Sequence, residues 1–268
     1  MAGPALDFGF SSCPNDTFAF HALVHGLVAG PAVRPYIDDV EALNVRAGLG
    51  GAEVTKVSIA AYSRIRERYA LLRAGGAAGF GVGPIVVARS ARAVGGRVAI
   101  PGERTTAALL LRLLGEFQTV PMRFDQIEGA VIAGEVDCGV LIHEGRFTYE
   151  AKGLKLLTDL GAVWEERMQC PLPLAAIAIR RDLIAPFGAA IDLALRDSVE
   201  YALAHPEASG AYVAAHAQEM SPDVVQRHIR LYVNRYTVEL DERAVQVMLE
   251  WQRPLVPTRD GDASPIFA

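Results

Sequence analysis

The sequence predicts an α/β protein with two lobes and a cleft between them. Three observations carry that reading. Short apolar segments at Leu6–Phe10, 54–57, 84–88, Arg97–Ile100, 138–142 and 174–179 alternate with helical stretches through short loops, the grammar of strand–helix units and mainly parallel sheets. The stretch at 84–88 (Pro-Ile-Val-Val-Ala) shows no polar alternation, as expected of a strand covered on both faces. The 268 residues suffice for two sheets without metal or disulfide staples. Crossings between lobes are expected in the turn-rich stretches 88–97 and 171–176. A discontinuous larger lobe would then hold residues 1–89 and 176–268, with a smaller inserted lobe at 90–175.

Each element has a local reason. Leu6-Asp7-Phe8-Gly9-Phe10 alternates apolar with other residues, and Asn15 is expected to cap the helix that follows, with Asp16 in its first turn and Gly26 near its end. Ser58 is expected to open a helix through Ile59 and on to Tyr69. Pro101-Gly102-Glu103-Arg104 is a tight loop, after which Thr105 or Thr106 caps a helix running to about Phe117. Asp125 caps another, stopped by Gly134. His143 stands at the exit of the strand 138–142. Beyond Leu183 the chain reads as mostly helical. Ile191, Leu195, Val199 and Ala202 share one face, Ser221-Pro222 opens a helix with proline in its first turn, and Asp241 opens another.

Composition narrows the partners. Hydrophobic residues make up 51% and charged residues 21%, with 26 Lys+Arg against 31 Asp+Glu for a net charge of −5. That balance argues against nucleic acid or an anionic membrane as the main partner, since either needs a concentrated basic face. Cys13, Cys138 and Cys170 form no metal spacing and no even disulfide set, as expected for a reducing cytoplasm. Met1-Ala2-Gly3-Pro4 shows neither the basic nor the apolar part of an export signal, so a cytoplasmic protein acting on a small molecule is expected.

Four stretches carry candidate chemistry. His143 directly follows a dry strand and precedes Glu144 and Arg146. A neutral imidazole at a strand exit is suited to taking a proton, and a histidine that merely satisfies loop carbonyls has the same sequence. Thr105 and Thr106 stand where a helix N-terminus can receive an anion, or serve only as a cap. Lys56-Val57-Ser58 repeats that geometry in the other lobe, and Lys56 is one of three lysines against 23 arginines. In a two-lobed fold, Ser58 and the two threonines would face one another across the cleft.

Other signals fall short. His21 and His25 have metal-ligand spacing on a helix but no third ligand nearby. The glycines at 75, 76, 79, 81 and 83 precede a strand, whereas a dinucleotide site needs them after one. They read as a flexible or tightly packed connection. Cys13 at a helix start reads as part of a structural turn. No metal, nucleotide or flavin is expected.

Several motifs together resemble one family. They are Ser12-Cys13-Pro14-Asn15-Asp16-Thr17-Phe18, Ala22-Leu23-Val24-His25-Gly26, Asp39-Val40-Glu41 with Leu43-Asn44, Thr55-Lys56-Val57-Ser58 and Gly81-Val82-Gly83-Pro84. Pro101-Gly102 with Thr105-Thr106, Leu141-Ile142-His143-Glu144 with Arg146-Phe147-Thr148-Tyr149, and Pro171-Leu172-Pro173-Leu174 complete the set. In order and over nearly the whole chain, they resemble the 1,4-dihydroxy-6-naphthoate synthases of the futalosine route to menaquinone. Ser12, Gly145 and Ala175 depart from the pattern, where proline, serine and glycine are expected.

The resemblance implies a periplasmic-binding-protein-like type II fold used as a cytoplasmic carbon–carbon lyase. The implied reaction converts cyclic dehypoxanthine futalosine, an aromatic carboxylate fused to a sugar-derived ring, to 1,4-dihydroxy-6-naphthoate and dihydroxyacetone without a cofactor. It puts the base on His143 and substrate contacts on Lys56, Val57, Ser58, Thr105 and Thr106. Two rival readings share the fold: the chorismate dehydratase of the same pathway, and a non-catalytic binding protein for a small carboxylate.

Overall fold

The computed structural model describes residues 5–91, 93–218, 221–256 and 264–268. The first four residues, read above as lacking an export signal, lie outside the described residues, as does Arg92 within the expected crossing. The elements are β1 (Leu6–Phe10), α1 (Pro14–Val24), β2 (Val33–Ile37), α2 (Val40–Gly48), β3 (Val54–Ser58), α3 (Ile59–Tyr62), β4 (Tyr69–Leu71), β5 (Ala77–Gly79), β6 (Ile85–Ala88), β7 (Arg97–Ile100), α4 (Thr106–Leu111) and β8 (Gln118–Pro121). Then come α5 (Ile127–Ala133), β9 (Cys138–Leu141), α6 (Gly145–Thr148), β10 (Lys155–Asp159), α7 (Leu160–Met168), β11 (Leu172–Arg180), α8 (Ala189–Ala204), α9 (Gly210–His216), α10 (Pro222–Tyr232), α11 (Arg235–Val238) and α12 (Glu242–Gln252).

The strands form two sheets, each the centre of one lobe. The first runs β2-β1-β3-β11-β4 with β5 also on β11, and the second runs β10-β6-β9-β7-β8. Both are mixed, not mainly parallel. β1–β2, β1–β3, β7–β8 and β7–β9 pair in parallel, but β11 is antiparallel to β3, β4 and β5, and β6 is antiparallel to β9 and β10. The reversals arise where the chain passes between lobes, because a strand entering directly from the other sheet has no crossover helix to turn it parallel. β6, expected in the larger lobe, pairs with β9 and β10 in the second sheet, so the outward passage lies between β5 and β6.

That passage is packed tightly. A Cβ on Gly83 would lie 2.2 Å from the Gly161 backbone, so the two glycines let the link press on the start of α7. The return enters β11 through Pro171 and Pro173, with a register shift between Pro173 and Ala175 where the strand passes from β5 to β3.

Local sequence explains most boundaries and corrects several. α1 begins at Pro14 after Cys13 in extended backbone; proline at the first helical position needs no N–H there. Asn15 therefore is not its cap, and its side chain is directed elsewhere. Asp39, Thr105, Asp159 and Asp241 cap α2, α4, α7 and α12 through side-chain oxygens. α3 stops at Tyr62, and the stretch expected to stay helical to Tyr69 turns to deliver Tyr69 to β4. α4 has only six residues and ends at Leu111, short of Phe117. Asp125 lies in a 3-10 turn before α5, which Gly134 ends in the left-handed conformation at φ 77°.

The core explains how the lobes hold together. Phe8, Phe10 and Phe20 form a fully buried triangle with centroids 5.1–5.4 Å apart on the outer side of the first sheet, against α8 and its buried Ile191, Leu195, Val199 and Ala202. A second apolar cluster spans both sheets, taking Val57, Tyr62 and Ala176 from one side and Val98, Leu110 and Trp164 from the other. Trp164 of α7 meets Trp251 of α12 edge to face at 5.5 Å. The lobes thus share buried apolar contact below the cleft, the kind of burial that contributes about 25 cal/mol per Å².

Candidate active site

Strand ends and helix starts from both lobes converge on one cleft. It is lined by Ser11, Asn15, Lys56, Ser58, Thr105, Thr106, Ile142, His143 and Tyr232 among others. Such an apolar slot with a few convergent polar groups is the usual form of a small-molecule site.

The first lobe contributes a polar network centred on Asp16. Its Oδ2 accepts the Ser11 backbone N–H at 3.1 Å and the Ser11 hydroxyl at 2.6 Å, and its Oδ1 accepts Asn15 Nδ2 at 2.8 Å. Lys56 Nζ donates to the same Oδ1 in a fully enclosed ion pair. Asn15 Oδ1 in turn accepts from His228 Nε2 at 2.9 Å. The carboxylate takes only donors, so it fixes the asparagine amide, and the amide oxygen fixes His228 with its proton on Nε2. This leaves His228 Nδ1 buried with no hydrogen-bond partner. Burial, with His143 and Lys56 adding to it, keeps His228 neutral by pushing its pKa well below the ordinary histidine value.

Asn44 clamps Ser58 from behind. Its Oδ1 accepts the Ser58 N–H at 2.9 Å and its Nδ2 donates to the Ser58 oxygen at 3.0 Å. The hydroxyl hydrogen of Ser58 is then left for a ligand. The Val57 side chain, by contrast, lies wholly in the core and does not line the cleft.

The second lobe contributes the threonine pair and His143. Thr105 caps α4, accepting Ala108 N–H at 3.1 Å and donating to Gly102 O at 2.8 Å. Thr106 reaches the other lobe: its hydroxyl donates to Leu174 O at 2.7 Å and accepts Ala60 N–H at 3.3 Å. Ser58 and the threonines do share one cleft, yet each threonine spends its single hydroxyl hydrogen within the protein. The N–H groups of Thr106 and Ala107 precede the internal bonds of α4 and are left as donors at that corner.

His143 follows β9 in the left-handed region at φ 54°. A non-glycine residue held there stores backbone strain of about 1–3 kcal/mol, a cost concentrated at functional positions. Its ring is half-buried, meets Phe124 edge-on at 4.9 Å and lies nearly parallel to His228 at 6.2 Å. Burial lowers its pKa to about 4, with Asp16 opposing and Lys56 reinforcing the shift. The imidazole is neutral at pH 7 and can accept a proton.

Sequence reasoning passed over Asp16, Asn44 and His228 and gave Cys13 only a turn. Asp16 and Asn15 sit just past the exit of β1, where the strand-end rule applied to His143 would have found them. His228 lies mid-helix on α10 and carries no local signal. His21 and His25 stack at 4.4 Å beside Tyr212, and no group of three or more potential metal ligands occurs among the described residues. No helix of the described residues is long and apolar enough to cross a membrane.

Fold and cleft together define a two-lobed α/β protein with a periplasmic-binding-protein-like fold. The alkanesulfonate-binding protein of Xanthomonas axonopodis pv. citri superposes with a TM-score of 0.71 over 97% of this chain and 96% of its own, at 14% identity, a likeness of fold alone. The crystal structure of a protein from Archaeoglobus fulgidus matches at TM-score 0.89 and 36% identity, covering 94% of this chain and 98% of that one. The chain belongs to the menaquinone-biosynthesis family, whose model matches residues 6–252. It is 52% identical over 242 residues to the 1,4-dihydroxy-6-naphthoate synthase of Thermus thermophilus, covering 89% of each chain. Identity to the enzyme of the same name from Streptomyces coelicolor is 45% over 252 residues, 90% of this chain and 89% of that one.

Proposed function

We propose that this protein is a carbon–carbon lyase that converts cyclic dehypoxanthine futalosine to 1,4-dihydroxy-6-naphthoate and dihydroxyacetone in the cytoplasm. The observation that carries the reading is His143, a half-buried neutral imidazole on strained backbone at the cleft where the lobes meet. Strong similarity to two synthases of that name supports the choice of substrate.

The roles follow from what each side chain has left to offer. His143 takes a proton from the substrate as general base. The electron pair released breaks the carbon–carbon bond to the three-carbon fragment, and aromatisation of the new ring drives the step. Lys56 keeps two N–H donors beyond the one given to Asp16, and with the Ser58 hydroxyl it suits the substrate carboxylate. Thr105 and Thr106 hold the opposite wall, and donors there stabilise oxyanion character as it develops. Val57 contributes through backbone alone. The two sheets act as lobes joined at 79–85 and 168–172, closing on the substrate and excluding water.

Purified protein supplied with cyclic dehypoxanthine futalosine should release naphthoate and dihydroxyacetone in equal amounts, and chorismate should be left unchanged. Consumption of chorismate would assign the chain to the dehydratase reaction instead. Tight binding of the futalosine compound without turnover would make it a binding protein.

A further inference from the structure

Among the described residues, the His143 ring has one hydrogen-bonding side-chain partner, and it is a thiol on the other lobe. Cys13 Sγ lies 3.1 Å from Nδ1 and 3.4 Å from Nε2, within reach of both ring nitrogens. The other neighbours of the ring are the aromatic faces and edges of Phe124 and His228. These confine it sterically without a hydrogen bond to either nitrogen.

The sulfur itself is rigidly held. Cys13 is 4% exposed, and Pro14 behind it fixes the backbone turn into α1. The Cys13 carbonyl accepts Asp16 N–H at 3.0 Å, Thr17 N–H at 3.1 Å and the Thr17 hydroxyl at 3.1 Å. An atom on one lobe is therefore locked in place before it touches a ring on the other.

We infer that Cys13 is a positioning residue that orients the His143 imidazole toward the cleft when the lobes meet, an inference that rests on the reading of His143 as the base. The chemistry explains why sulfur suits the place. Burial, with Glu144 and Asp16 opposing a negative charge, pushes the thiol pKa well up, so Cys13 is neutral. A neutral thiol is a weak donor and a weak acceptor. It can steer the ring without tying up the nitrogen lone pair that the base needs, whereas a carboxylate would hold the imidazole protonated on one nitrogen and raise its pKa. The charged and titratable groups around the ring are Asp16 and Lys56 from the first lobe, Glu144 next to it in the chain, and His228 on α10. None of these is altered by changing Cys13.

The test compares Cys13→Ala and Cys13→Ser with the full wild-type chain. Turnover of cyclic dehypoxanthine futalosine is followed against pH, and the imidazole nitrogens of the ligand-free proteins are followed by 15N NMR. The His143 signals are assigned by their loss in His143→Gln. Misplacement of a catalytic group by about 1 Å costs up to roughly 10²-fold in rate, so Cys13→Ala should lose about tenfold in kcat with KM within twofold. It should also shift the acid limb of the rate profile and move the His143 nitrogen signals. Cys13→Ser, which restores a polar partner, should recover most of kcat. Wild-type kcat, pH profile and nitrogen signals in Cys13→Ala would overturn the inference. If His143→Gln keeps its turnover, the base reading fails, and the nitrogen signals of Cys13→Ala still decide whether the thiol orients the ring.

Discussion

Glu41 of the first lobe holds Arg104 of the second. Its carboxylate oxygens accept the Arg104 backbone N–H at 3.1 and 3.2 Å and face the guanidinium at 3.4 Å. Gly102, at φ 130°, lies so close that a Cβ there would sit 2.5 Å from the Glu41 side chain. This contact closes the loop ahead of Thr105 onto α2, so it acts on how the lobes meet over a ligand.

Glu41→Ala should therefore raise KM about three- to tenfold, the size expected from the net loss of one ordinary hydrogen bond of about 1 kcal/mol, with a smaller effect on kcat. Steady-state kinetics checks this. Burial raises the Glu41 pKa despite the help of Arg104 and Asn44. A carboxyl whose folded pKa is raised binds its proton more tightly when folded, so its contribution favours the folded state at low pH and is lost as pH rises through that pKa. Glu41→Gln should match or exceed wild type in melting temperature at pH 7, with the advantage shrinking toward pH 4.5.

The two threonines should separate cleanly. Thr105→Ala removes a helix cap and should cost about 1 kcal/mol of stability in denaturant unfolding. Thr106→Ala removes the bond to Leu174 O and the acceptor for Ala60 N–H across the lobes, so its main effect should be on KM. Equal effects of both on KM and none on stability would contradict this division.

The Lys56–Asp16 pair is 6% and 2% exposed at its side chains. Removing one partner of a buried pair typically costs about 3–5 kcal/mol because the other charge is stranded. Lys56→Met alone should fall in that range by urea denaturation. Adding Asp16→Asn should recover part of it, giving a coupling that a double-mutant cycle measures.

Acid sensitivity should come from the paired histidines. His143 and His228 both have lowered pKa values when folded, so below the ordinary value of 6.5 the unfolded chain takes up protons that the folded protein refuses. Stability contributed by each is full above pH 6.5 and falls as pH drops below it, for His143 down to about 4. His228→Gln, which keeps a donor for Asn15, should flatten the loss of melting temperature between pH 6.5 and 4.5.

Much of this was legible in the sequence, for identifiable reasons. The strands β6, β9 and β11 are runs of apolar residues, β1, β3 and β7 carry shorter apolar patterns between turn signals, and the caps at Thr105 and Asp241 are single-residue signals. β2, β4, β8 and β10 gave no such signal. β2, β8 and β10 lie at sheet edges, carry Arg34, Pro35, Gln118 or Lys155, and owe their state to the neighbour they pair with, while β4 is a buried three-residue strand too short to mark itself. The lobe to which β6 belongs depends on pairing partners 50 or more residues away, which no local pattern encodes. The same split holds at the site. His143, Ser58 and the threonines sit at element ends, where position alone marks them, and Lys56 inside β3 stands out as one of three lysines in the chain. His228 and Asn44 lie on helices and act through long-range contacts that only the folded chain creates.

The most direct test of the account is the turnover and binding of His143→Gln. Glutamine keeps the size and polarity of the side chain but cannot take a proton at neutral pH. With cyclic dehypoxanthine futalosine as substrate, naphthoate release should fall by roughly 10²-fold or more, the usual scale for loss of a general base. Calorimetric affinity for the naphthoate product should stay within about threefold of wild type, since Lys56, Ser58 and the threonines are untouched. Turnover near the wild-type rate in a folded, product-binding variant would contradict the assignment of His143 as the base.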